Sequence, residues 1–75
     1  MTQAQARRLS AGDTFKRPSS NGHCADGFRR YEVTFNDHLA MGVQDEFGYT
    51  SSLLWGKKNG TDEFLKPAII TKVTQ

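Results

Sequence analysis

The sequence predicts an all-β fold, a small five-stranded antiparallel barrel entered by a short N-terminal arm. Three observations predict it. FRRYEVTF (28–35) alternates, with Tyr31, Val33 and Phe35 on one face and Arg30, Glu32 and Thr34 on the other, the two-residue period of a half-buried strand. Other short apolar stretches are separated by clusters of Gly, Asn, Asp, Ser and Pro, at the spacing of strands joined by turns. The 75 residues are 36% hydrophobic and 24% charged, which suits one folded domain and not a disordered chain.

The elements follow in chain order. Residues 1–12 form the arm: TQAQARRL (2–9) permits a helix that Thr2 can cap, but eight residues need tertiary contacts, which Leu9 can supply. Residues 13–75 form the domain. DTFKR (13–17) is the first strand, ended by Pro18. PSSNGHCADG (18–27) is loop chemistry. FRRYEVTF is the second strand, and Asn36-Asp37 turns it into a third, where Leu39, Met41 and Val43 alternate and Gly42 marks a bulge or close approach. Asp45-Glu46-Phe47-Gly48 makes the next turn. YTSSLLW (49–55) is the fourth strand, with Tyr49, Ser51, Leu53 and Trp55 on one face. GKKNGTDE (56–63) is a polar turn, Phe64-Leu65 leads to Pro67, and AIITKV (68–73) closes the sheet. In so small a core Phe15, Phe28, Tyr31 and Phe35 are all expected inside.

The opening LSAGDTF (9–15) resembles the entry of Src-homology-three-like or Tudor-like barrels, in which Leu-x-x-Gly-Asp-x-hydrophobic leads into the first strand. In that family a long irregular loop follows the first strand and short hairpin strands come after it, an order residues 9–73 share. The resemblance implies the fold. It brings no functional residues, because the acidic loop and aromatic row of the polyproline-binding members are missing from the sequence.

Charge and cysteine count narrow the function classes. The net charge of +2 permits nucleic-acid binding without demanding it. A single cysteine forms no internal disulfide, which points to a reducing, cytoplasmic compartment. No apolar run is long enough for a bilayer span, and no signal-peptide pattern follows Arg7-Arg8. The size also suits an accessory protein of a phage or mobile element.

Catalytic and metal chemistry find little footing. His23, Cys24, Asp26 and His38 are the possible metal ligands, but His23 and Cys24 are adjacent and no second close pair exists, so the expectation is no metal and no cofactor. Cys24 with His23 or His38 is a remote candidate for thiol chemistry, and the chain is read as non-enzymatic. Asp45-Glu46 and Asp62-Glu63 sit in turns, where carboxylates are ordinarily solvated. GKKNG lacks the spacing of a phosphate-binding loop.

The basic residues carry the strongest signal. Eight of the ten form doublets: Arg7-Arg8, Lys16-Arg17, Arg29-Arg30 and Lys57-Lys58. Three doublets lie beside aromatics, and Trp55 precedes Lys57 by two. Basic grooves with aromatic platforms are how small barrels bind single strands. Against this, neighbours on a strand point to opposite faces, so a doublet gives one charge to each side. The resulting expectation is a non-catalytic module that binds nucleic acid weakly, with these eight residues neutralising phosphates and Trp55 stacking on bases. The alternative is a protein-interaction or homo-oligomeric adaptor using an apolar face of Leu54, Trp55 and Ile70, because Leu53-Leu54 and Ile69-Ile70 each force one apolar side chain outward.

Overall fold

Strand β2 (Phe28–Asn36) is the spine of the molecule, paired along both sides. The computed structural model describes residues 1–73, the side chains of Lys58 and Asn59 excepted. Around β2 lie β1 (Thr14–Pro18), β3 (Ala40–Asp45), β4 (Thr50–Leu54) and β5 (Ile69–Lys72), all antiparallel, in the order β4-β3-β2-β1-β5. The expected all-β fold and all five strands are present.

Alternation sorts the side chains. Phe15, Val33, Met41, Val43 and Leu53 lie on the inner face and are buried. Phe15 stacks on Tyr31 at 5.2 Å, and Phe64 meets both rings edge-on at 6.1 and 5.2 Å. Two short helices close this core. In α1 (Gln3–Ala6) Thr2 and Gln5 form a reciprocal capping box, and Ala6 and Leu9 are buried. Asn36 Nδ2 donates to Ala6 O at 3.0 Å and Leu9 O at 2.8 Å, which satisfies carbonyls at the helix end and docks the arm. The Met1 ammonium donates to Leu65 O and Ala68 O, at 2.9 and 3.0 Å. At the entry to β1, Gly12 has φ 96°, and the Asp13 carboxylate accepts from Ser10 N at 2.8 Å. That turn is the physical content of the Gly-Asp pair.

Four expectations are corrected. The sheet is not closed into a barrel: among the described residues β4 and β5 pair on one side only and remain its two edges. The four residues of β5 are committed to β1, and the chain after β4 enters the core with a side chain, the fully buried Leu65. Residues 58–65 are therefore not a plain polar turn. They form a π-helical turn (Lys58–Asp62) and the single helical turn α2 (Glu63–Leu65), tied to β4 by Thr61 Oγ1 donating to Leu54 O at 2.5 Å.

Phe35 is not in the core. A bulge between Val33 and Phe35 moves it onto the face of Gly42, where it is 43% exposed. A Cβ on Gly42 would collide with the Phe35 ring and come within 2.6 Å of Thr34 Oγ1. The expected close approach at Gly42 is thus present, and the bulge is what breaks the alternation. Phe28 is only half-buried, because its pairing with Pro18 places it on the outer face.

Candidate nucleic-acid interface

The β1–β2 ladder splits the central basic doublets. Arg17 pairs with Arg29 and shares the inner face with Phe15 and Tyr31, whereas Lys16 pairs with Arg30 on the outer face. Past the end of the packed core, the inner-face pair lines a cleft of about 350 Å³ with Tyr31, Pro18 and the loop residues 19–21.

Both arginines are held from behind. Arg17 Nε donates to Phe64 O at 2.7 Å, and its guanidinium lies 4.1 Å from the Phe64 ring centroid. Arg29 lies 5.1 Å from the Phe47 ring centroid and 3.6 Å from Asp45 Oδ2. The neighbouring Cys24 side chain, first, and the Asp45 carboxylate hold the Arg29 guanidinium above its ordinary pKa. Its Nε–H is buried and has no acceptor among the described residues.

The turn after β3 forms the adjoining wall. Asp45 Oδ1 accepts from Phe47 N at 3.0 Å and Tyr49 N at 2.9 Å, and Gly48 takes φ 93°. The fixed turn presents Phe47, 42% exposed, and Tyr49, 74% exposed. With His23 and Asn21 they line a second recess of about 290 Å³ that shares Arg29 and Asn21 with the cleft. His23 meets Phe47 edge-on at 6.3 Å. The sequence reading missed Phe47 and Tyr49. The available signal was two aromatics flanking a glycine in an otherwise polar turn.

The other candidates lie elsewhere. Lys16 sits 4.3 Å from the Phe28 ring centroid, and Arg30 pairs with Asp26 at 2.5 Å on the outer side. Arg7 covers Trp55 at 4.9 Å, and Trp55 Nε1 donates to Asp37 O at 2.8 Å. Arg8 and Lys57 are exposed, and the side chain of Lys58 lies outside the described residues. This second cluster borders Asn36, seven residues along β2 from Arg29, or about 23 Å at ~3.3 Å per residue. The four doublets therefore do not converge. Leu54 is 51% and Ile70 37% exposed, on opposite edge strands. Cys24 is buried in the loop before β2, and His38 stands at the far end of that strand.

Among the described residues no helix is long and apolar enough to cross a membrane. Compared with family models, curated proteins and solved structures, the chain finds no match.

Proposed function

We propose that this chain is a non-catalytic binding module that holds the phosphate backbone of nucleic acid in the cleft between Arg17 and Arg29. The observation that carries this reading is the cross-strand pairing of the two arginines on the inner face, each fixed against an aromatic ring. Fixed guanidinium groups lose little freedom on meeting a phosphate and offer it planar, paired donors. The strand order, with a helical turn between β4 and β5, supports a relationship to the Src-homology-three-like or Tudor-like folds at the level of architecture.

The test compares two ends of the molecule. Arg17→Ala and Arg29→Ala should each weaken binding of a labelled oligonucleotide, measured by fluorescence anisotropy, by about fivefold or more, as expected for lost charge-assisted contacts. Arg8→Ala should change it little. Loss at Arg8 or Lys57 with no loss at Arg17 and Arg29 would place binding at the Trp55 end and end this reading.

A second reading has its own observation. Among the described residues the edges β4 and β5 are unpaired on their outer sides, and Leu54, Ile69 and Ile70 are exposed there. Such edges suit a protein partner or a second copy of the chain. Light scattering that returns a multiple of 8.4 kDa would favour it.

A further inference from the structure

We infer that the recess of His23, Phe47 and Tyr49 is a base-stacking subsite, so that the molecule takes single strands and seats one unstacked nucleotide across Arg29. This rests on the reading of the Arg17–Arg29 cleft as a phosphate site and names the form of nucleic acid it accepts.

The two cavities adjoin through Arg29 and Asn21. One offers two guanidinium groups and the other an aromatic rim, the two halves of a nucleotide. Tyr49 is the more exposed ring, at 74%, and no ring contact covers it among the described residues. An aromatic held in the open by a fixed turn is a stacking surface that loses little entropy on binding. Asp45 does the fixing through Phe47 N and Tyr49 N while its other oxygen faces Arg29, so one carboxylate sets the geometry of both cavities. A duplex keeps its bases stacked and paired, and reaching the rim would cost their unstacking. A single strand presents a free π-face. Sequence preference is not expected, because every base has one.

The test uses the intact protein and three labelled 12-nucleotide probes: a single strand, its duplex, and a strand with the same phosphates but abasic sugars. DNA and RNA versions distinguish the two sources of the same chemistry. In the favoured arm the single strand should bind about tenfold tighter than the abasic strand, the order of one base–aromatic stack. Tyr49→Ala should erase most of that gap and leave abasic binding unchanged. The exposed position of Tyr49 keeps the fold out of the result, and Phe47→Leu should narrow the same gap. Equal binding of normal and abasic strands, with affinity still falling in salt, would overturn the base subsite and spare the phosphate site. No binding of any probe would overturn both. A gap untouched by either substitution would also overturn the subsite.

Discussion

At the scale of the residue, Asp45 is the pivot. Its carboxylate satisfies two backbone N–H groups of the Phe47–Tyr49 turn and also opposes the charge of Arg29. Those two roles can be separated. Asp45→Asn keeps an oxygen for the N–H groups and removes the counter-charge, so strand affinity should rise severalfold at low salt; unchanged or weaker binding would show that Asp45 does not compete with the ligand. Asp45→Ala leaves both donors unpaired and should cost about 1–3 kcal/mol in urea unfolding. Gly42 makes a different case. Gly42→Ala pushes a methyl into the Phe35 ring and Thr34 Oγ1, and overpacking of this kind costs about 1–3 kcal/mol. Adding Phe35→Ala should recover part of that loss, since the ring supplies the nearest atoms. Full loss in the double variant would assign the cost to Thr34.

At the scale of the element, turns and helical pieces decide how the strands meet. Asp37 holds the β2–β3 turn by accepting from Leu39 N and Ala40 N, each at 2.9 Å, and these bonds keep its carboxyl below the usual 3.8. A folded pKa below the unfolded one gives stability that is complete above about pH 4 and fades as pH falls through the folded value. Asp26, lowered first by Arg30, acts in the same direction. The urea midpoint of the wild type should therefore drop on acidification below about pH 4, and Asp37→Asn should flatten that drop while preserving the turn. An equally steep acid limb in the variant would remove Asp37 from the account. Leu65→Ala should cost about 2–5 kcal/mol, because Leu65 is fully buried in the hydrophobic core. The strands were legible in the sequence because their period and turn residues are local properties. The helical turns of 58–65 were not, since Gly, Asn and Asp there read as a loop and only the pull of Phe64 and Leu65 into the core winds them. Phe35 was misplaced for a related reason: one bulged residue inverts the alternation, and only the partner strand reveals it.

At the scale of the whole molecule, the site is a matter of register. The sequence showed that basic doublets lie beside aromatics, but not that Arg17 would face Arg29, since a shift of one residue would have paired Arg17 with Arg30 or Phe28 instead. Nor did it place Phe47 and Tyr49 next to Arg29, which depends on the whole β2–β3 ladder. Trp55, the natural stacking candidate in the sequence, is half-buried beneath Arg7 at the other end of β2. In the proposed function the inner-face pair carries the phosphate contacts. The direct measurement is the dependence of single-strand affinity on salt, for the wild type and for the Arg17→Ala, Arg29→Ala double variant. Two phosphate contacts should make the wild-type logarithmic slope steeper by about 1.4, at ~0.7 per contact on a single strand. A double variant with the wild-type slope and affinity would contradict the claim.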